Sequence, residues 1–295
     1  MRITETDRRC AARSGAVSPM IGDSLRRGDV ESTMGTPTPG IRTSTTATRA
    51  STARTAPAAR VPSADASEHA GFSFADLVRA YFDCRRTKRN SPSALAFEER
   101  LERNLRDLFD ELQAGAYRPR RSICFVITRP KPREVWAADF RDRVVHHLLY
   151  NHIGARFENA FITDSCACIV GRGTLYAAQR LEAKVRSITQ NWRRPAFYLK
   201  CDLANFFVSI DKCVLREQLA AKISEPWWMA LAETVLMHDP REDFELRGDR
   251  ALLELVPPHK RLMNQPSHLG LPIGNLSSQF FANADALRMF IKLAR

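Results

Sequence analysis

The sequence contains no uninterrupted apolar run that is long enough to cross a membrane as a helix. It also does not begin with a basic segment followed by an apolar one. The first absence argues against a membrane-spanning protein, and the second argues against a secretory signal peptide. We therefore predict a cytoplasmic protein that has no membrane as its partner.

Cysteine pairs with the spacing of zinc ligands are also missing. The seven cysteines include no CxxC pair, and only Cys166 and Cys168 lie close together in the sequence. A structural zinc site usually needs a second pair of ligands, which this chain does not offer at a suitable spacing. We therefore expect reduced thiols in place of a zinc centre.

Acidic residues are scarce relative to basic ones. The 295 residues include 45 Lys and Arg but only 33 Asp and Glu, so the formal net charge is +12 and the sequence pI is about 9.8. This excess predicts a polyanionic partner, with nucleic acid as the first candidate. On charge alone an anionic membrane surface comes second, but our prediction remains that no membrane is a partner. Hydrophobic residues make up 44% of the chain, which is enough to build a core.

The N-terminal part of the chain lacks the residues from which a core is built. Residues 35–67 are almost entirely Thr, Ser, Ala, Pro and Arg, with no aromatic residue. Such a segment buries too little apolar surface to offset the entropy lost on ordering. We predict a disordered, low-complexity tail over residues 1–71. A transit peptide, or a translation start at Met20 or Met34, remains an alternative interpretation.

From residue 72 onward, apolar periodicity predicts a mixture of helices and strands. The clearest stripe runs from Phe97 to Leu112 and predicts one amphipathic helix, ended by Gly115. Strand formers predict strands at 122–128 and 197–201. Further helices are predicted at 140–153, 174–188, 214–223, 227–237 and after Pro272, and irregular structure at 239–265. Few strands among many helices predict an α+β fold with helices packed on one face of a sheet.

Two segments contain residues suited to binding a nucleotide. In residues 197–211 the predicted strand leads into Asp202, followed by Phe207 and Asp211. A carboxylate at a strand end is held rigidly, as a divalent-cation site requires, although either Asp could instead cap the following helix. In residues 270–283, Gly274 and a helix start would allow close approach of a phosphate or base. An ordinary loop before a capped helix is the alternative.

A third segment, residues 118–143, is strongly basic. It contains eight cations and three acids, and prolines at 119, 130 and 132 interrupt it. A run of charge is usually a solvated face, but cations held on short rigid turns also suit phosphate contacts.

The order of these segments, with DSCACIVGRGT at 164–174 between the basic segment and Asp202, resembles that of bacterial reverse transcriptases. It looks closest to the enzymes of diversity-generating retroelements, with retron and group II intron enzymes further off. The resemblance covers residues 117–283. It implies the fingers and partial palm of a right-hand polymerase over residues 72–295, which adds dNTPs to a DNA or RNA primer on an RNA template. An accessory protein is a further candidate partner.

The resemblance also implies roles for individual residues. LKCDLANFFVSID matches motif A, so Asp202 would be the catalytic aspartate and, with Leu203, would bind Mg²⁺ in a two-metal site. Phe207 would exclude a ribose 2′-OH. GLPIGNLSSQ matches motif B, and residues 164–174 match the segment that contacts the template. The implied nucleotide-binding set is Lys131, Arg133, Leu203, Phe207, Ile273, Gly274 and Gln279, and the implied nucleic-acid contacts are Arg141, Arg143, Arg172 and Asn275.

One expected motif of this family is absent. The family carries a Tyr/Phe-x-Asp-Asp hairpin after motif B, whereas this sequence contains no Asp-Asp pair. We therefore expect a domain that lacks its catalytic hairpin and thumb and is inactive alone. The alternative is a non-catalytic RNA- or DNA-binding remnant that uses the basic fingers face. A third reading, an RNA-templated RNA polymerase, is disfavoured because Phe207 would exclude the 2′-OH.

Overall fold

The computed structural model describes residues 71–86 and 90–293, with side chains as far as residue 286. The predicted disordered tail lies outside the described residues, except for Gly71. Within the described part, no helix has both the length and the apolar character needed to cross a bilayer.

The helices and strands follow one another in the order α1–α3, β1, β2, α4–α8, β3, α9. Before the sheet come α1 (Phe74–Arg85), α2 (Pro92–Glu98) and α3 (Leu101–Gln113). The strands are β1 (Ser122–Ile127), β2 (Arg133–Ala137) and β3 (Phe244–Leu246). The later helices are α4 (Phe140–Glu158), α5 (Thr174–Ile188), α6 (Phe206–Ser209), α7 (Lys212–Ala220), α8 (Pro226–Met237) and α9 (Leu276–Leu293). Three short 3₁₀ helices, Arg250–Leu255, Pro258–Lys260 and Leu262–Asn264, lie between β3 and α9.

The sheet has the strand order β2-β1-β3. Strands β1 and β2 are antiparallel, with Cys124 opposite Trp136, and β3 lies parallel to β1 with Leu246 beside Cys124. Cys124, Trp136, Val208 and Leu262 form a small apolar cluster against this sheet. The mixture of a small sheet with many helices confirms the predicted α+β class.

Helix α4 lies at the centre of the main core. Asp139 caps its N-terminus by accepting a hydrogen bond from the Arg141 amide, and Phe140, Val144 and Ile153 are fully buried. It packs against α1, α2, α8 and α9. Because apolar and polar residues both face inward along α4, the helix is surrounded by protein instead of lying on the surface. The start of α9 is thereby positioned beside the start of α4.

Several predicted elements are confirmed and one strand is wrong. The strand at 122–128 and the helix at 174–188 are present, and the helix predicted from Phe140 starts there but continues to Glu158. Residues 197–201 form no strand: Phe197 and Leu199 are 101% and 88% exposed. A strand needs a neighbour to accept its backbone hydrogen bonds, and no described strand lies beside this segment.

Two further differences have local causes. The predicted helix over 97–112 is interrupted at Arg100, whose backbone leaves the helical region, so it forms α2 and α3. The Asn104 side chain donates to the Phe97 carbonyl oxygen at 2.8 Å and satisfies the end of α2. Strand β2 was not predicted, because its charged start follows two prolines, but pairing with β1 stabilises it.

Candidate functional site

The segment that precedes α9 lies against the residues that follow Asp202. The Leu271 amide donates to the Phe207 carbonyl oxygen at 2.8 Å, and the Gly270 amide donates to the Ile210 carbonyl oxygen at 2.8 Å. Gly270 has φ 88°, and a Cβ there would lie 3.3 Å from the Val208 Cα. Only glycine therefore allows this approach without displacement of the backbone. The motif-A-like and motif-B-like segments are thus joined by main-chain hydrogen bonds.

The same loop also contacts strand β2 of the β1–β2 hairpin, which lies in the basic segment 118–143. The Trp136 amide donates to the Ile273 carbonyl oxygen at 2.7 Å, and the Ala138 amide donates to the Asn275 side-chain oxygen at 3.0 Å. Gly274 has φ 126°, and a Cβ there would lie 2.8 Å from Val135 Cγ1 and 3.0 Å from the Trp136 carbonyl oxygen. We expected Gly274 to allow close approach of a ligand, but here it allows close approach of β2.

Exposed cations lie at the tip of the β1–β2 hairpin. Arg129, Lys131 and Arg133 are exposed, and Lys131 and Arg133 are predicted nucleotide-binding residues. Cations on a hairpin tip can reach phosphate oxygens without first breaking buried ion pairs. The role of Lys131 and Arg133 in binding a nucleotide stays a prediction.

Two predicted nucleic-acid contacts lie at the start of α4, one buried and one half-buried. The Arg141 side chain is only 4% exposed and forms ion pairs with Glu111 and Asp142. Arg143 donates to the Ala138 carbonyl oxygen at 2.9 Å, and burial lowers the pKa of its guanidinium. Both side chains stabilise the start of α4. The predicted nucleic-acid contact is therefore corrected for the buried Arg141, whereas for the half-buried Arg143 it stays a prediction.

The remaining predicted residues are distributed between surface and interior. Gln279 is exposed on α9, and Phe207 is half-buried against the main core. The Asn275 side chain is buried and engaged with β2, so it does not face a nucleic acid. Arg172 donates to the carbonyl oxygens of Thr163 and Ser165, both at 3.4 Å, and so closes its own loop.

Asp202 lies on an exposed segment without regular structure. The expectation that a strand end holds it rigidly is therefore wrong, for the reason given above. For Asp211 the capping alternative is confirmed: its carboxylate accepts hydrogen bonds from the Cys213 and Val214 amides at 2.9 and 3.3 Å, at the start of α7.

Leu203, the residue after Asp202, lines a groove of about 350 Å³ that is the candidate cation site in this region. The groove lining also includes Ser209, Asp211 and Asp285. Asp211 caps α7 there, and Asp285 accepts a hydrogen bond from Gln218 at 3.2 Å. No group of three or more His, Cys, Asp or Glu side chains within the described part of the chain is arranged to hold a metal. A two-metal site needs several carboxylate oxygens around two ions. The described residues therefore do not fit the Mg²⁺ that the resemblance implies.

A layer of buried polar groups behind the loop was not predicted. Asp142 accepts hydrogen bonds from Tyr117 and from the Arg120 amide, at 3.0 and 2.7 Å, and burial raises its pKa to about 6. Burial lowers the pKa of His146 to about 3, so this imidazole is neutral. Both residues and Ser278 line a cavity of about 20 Å³ beneath the loop. The sequence feature that could have indicated the burial of Asp142 and His146 is their position among the apolar residues of α4.

Comparison of the sequence with protein-family models finds no match, and comparison with curated proteins finds none either.

Proposed function

We propose that the described region is the fingers and part of the palm of a reverse transcriptase, an RNA-directed DNA polymerase. The observation that carries the proposal is the junction of three segments around residues 270–275. Their hydrogen bonds reach Phe207 on one side and Trp136 and Ala138 on the other. These are the segments whose sequence resembles motif A, motif B and the fingers, and a polymerase must bring all three to one incoming nucleotide.

The proposed chemistry is transfer of a nucleotidyl group from a dNTP to the primer 3′-hydroxyl, with release of pyrophosphate. Lys131 and Arg133 would neutralise charge on the triphosphate. Phe207 would lie beneath the sugar and reject a 2′-hydroxyl by its bulk. Asp202 is the proposed carboxylate of the reaction, and two-metal chemistry needs a larger set of metal ligands than the described residues assemble into one group. We therefore propose that this chain alone does not extend a primer.

The second candidate function is non-catalytic binding of RNA or of an RNA–DNA hybrid. It is favoured by two observations, the exposed cations at the hairpin tip and the absence, among the described residues, of a cluster of three or more His, Cys, Asp or Glu side chains that could hold a metal. Binding of this kind would depend steeply on salt, because each neutralised phosphate releases counterions.

A primer-extension assay combined with a binding assay tests both proposals. The chain is incubated with an RNA template, a DNA primer, dNTPs and Mg²⁺, and hybrid affinity is measured by fluorescence anisotropy at two salt concentrations. We expect salt-dependent binding without extension. Extension that is abolished by Asp202→Ala would contradict the inactivity of the chain while supporting the polymerase assignment. Binding that barely changes with salt would contradict the basic-face interpretation.

Charge reversal locates the binding surface. The double variant Lys131→Glu and Arg133→Glu should weaken hybrid binding by at least tenfold, because two phosphate contacts become repulsive. The matched control is the double variant Arg100→Glu and Arg103→Glu, which changes the net charge by the same amount at two exposed side chains distant in sequence from the hairpin. Equal losses in both variants would show that only net charge matters.

A further inference from the structure

The loop that connects α4 to α5 contains two cysteines separated by one residue. Cys166 is half-buried and Cys168 is exposed, and both are free thiols. Two residues of extended chain span at most about 7 Å, and residues 167–168 form a turn, which shortens that span. Disulfides join Cα atoms that are usually about 4.4–6.8 Å apart. The spacing therefore permits a bond between these two sulfur atoms.

The two thiols differ in their surroundings. The Cys166 thiol donates to the Asp164 carbonyl oxygen at 3.1 Å, whereas Cys168 is exposed to solvent. Cations surround the loop: Arg180 and Lys184 form ion pairs with Asp164 at 2.7 and 2.9 Å. The hydrogen bond and the charge of Asp164 raise the pKa of Arg180. The thiolate is the form of cysteine that attacks a disulfide.

The loop is also anchored to α9 between the two cysteines. The Asn283 side chain donates to the Ala167 carbonyl oxygen at 2.8 Å. Cys168 has φ 56°, in the left-handed region that disfavours residues other than glycine. This anchor fixes the turn at residues 167–168, so the short backbone link between the two cysteines is held in place by α9.

We propose that Cys166 and Cys168 form a dithiol modification site that a low-molecular-weight disulfide oxidises to an internal disulfide. The exposed Cys168 thiolate attacks one sulfur of glutathione disulfide, forms a mixed disulfide and releases one glutathione thiolate. The Cys166 thiolate then attacks the Cys168 sulfur of the mixed disulfide and releases the second glutathione thiolate. Two protein thiols lose two electrons and two protons, and two glutathione thiols form. The second step is intramolecular and therefore outcompetes a second external attack.

The chain carries its own matched control. Cys201 is an exposed free thiol. The neighbouring cysteines in the sequence are Cys168 and Cys213, neither adjacent in the chain, so Cys201 should retain glutathione as a mixed disulfide. Tryptic cleavage separates the two sites, because Cys166 and Cys168 lie in the fragment 157–172 and Cys201 lies in the fragment 201–212.

The experiment treats the folded full-length chain with enough glutathione disulfide to modify Cys201 completely, followed by acid quenching, digestion and mass spectrometry. We expect fragment 157–172 to lose two hydrogen atoms and carry no glutathione, and this change to be reversed by a dithiol reductant. In Cys166→Ser the same fragment should carry one glutathionyl group on Cys168. The proposal is overturned if the wild-type fragment carries glutathione on either cysteine, or if it is unmodified while Cys201 is fully modified.

Discussion

Substitution of Gly274 by alanine should weaken the junction between the motif-B-like loop and β2. At φ 126° an alanine is strained, and its Cβ would lie 2.8 Å from Val135 Cγ1 and 3.0 Å from the Trp136 carbonyl oxygen. The backbone strain costs about 1–3 kcal/mol, and displacement of a packed strand adds about 1 kcal/mol. We therefore expect the free energy of unfolding to fall by about 2–4 kcal/mol.

The assay is urea unfolding followed by circular dichroism, with Gly171→Ala as the matched control. Gly171 also has a positive φ, 77°, but a Cβ there would meet nothing within 4 Å. The control isolates the cost of the backbone conformation, which should be about 1–2 kcal/mol. If Gly274→Ala loses no more stability than Gly171→Ala, the close approach of the loop to β2 is wrong.

Three further substitutions test the buried polar groups. Asn275→Ala leaves the buried Ala138 amide unpaired and should lower the free energy of unfolding by about 1–3 kcal/mol. The control Gln279→Ala, at an exposed residue, should change it by less than about 0.5 kcal/mol. Equal effects of the two substitutions would contradict the hydrogen bond. His146 has a folded pKa of about 3, below its unfolded value, so it contributes stability at neutral pH that is lost as pH falls from about 6.5 towards 3. His146→Leu should therefore lose less stability than wild type between pH 6.5 and 4.5 in urea titrations, and an identical pH dependence would contradict its neutral burial. Burial lowers the pKa of Lys212 to about 8, so at pH 7 the side chain is still mostly charged and keeping that charge buried costs stability relative to the unfolded chain. Lys212→Met should raise the free energy of unfolding by on the order of 1–3 kcal/mol at pH 7, and a loss of that size would show that the charge is needed.

The sequence predicted elements whose signal is local. The apolar stripe from Phe97 to Leu112 and the strand formers of β1 identify a helical region and a strand, because a helix or strand pattern needs only its own residues. Residues 197–201 have equally strong strand formers, yet Phe197 is fully exposed. Strand formation depends on a partner strand, and the residues of 197–201 contain no information about whether one is present.

In the candidate site, the association of the segments was predictable from the sequence, but the orientation of individual side chains was not. The order of the motifs in the sequence indicated that the segments around Lys131, Phe207 and Gly274 belong together. In the structure, the loop that contains Gly274 is hydrogen-bonded to Phe207 and to strand β2 of the hairpin that carries Lys131. The sequence did not predict that Arg141 and Asn275 turn inward. Both residues are polar, and only tertiary packing decides whether a polar side chain meets solvent or a buried partner.

The most direct test of the polymerase assignment is photo-crosslinking of a primer–template hybrid that carries a photoreactive nucleotide at the primer 3′ end. A polymerase places that end between the motif-A-like and motif-B-like segments. We therefore predict cross-links to residues 203–207 and 273–279, which are lost when the hairpin cations are reversed. Cross-links distributed over the basic surface, without enrichment at these two segments, would contradict the assignment.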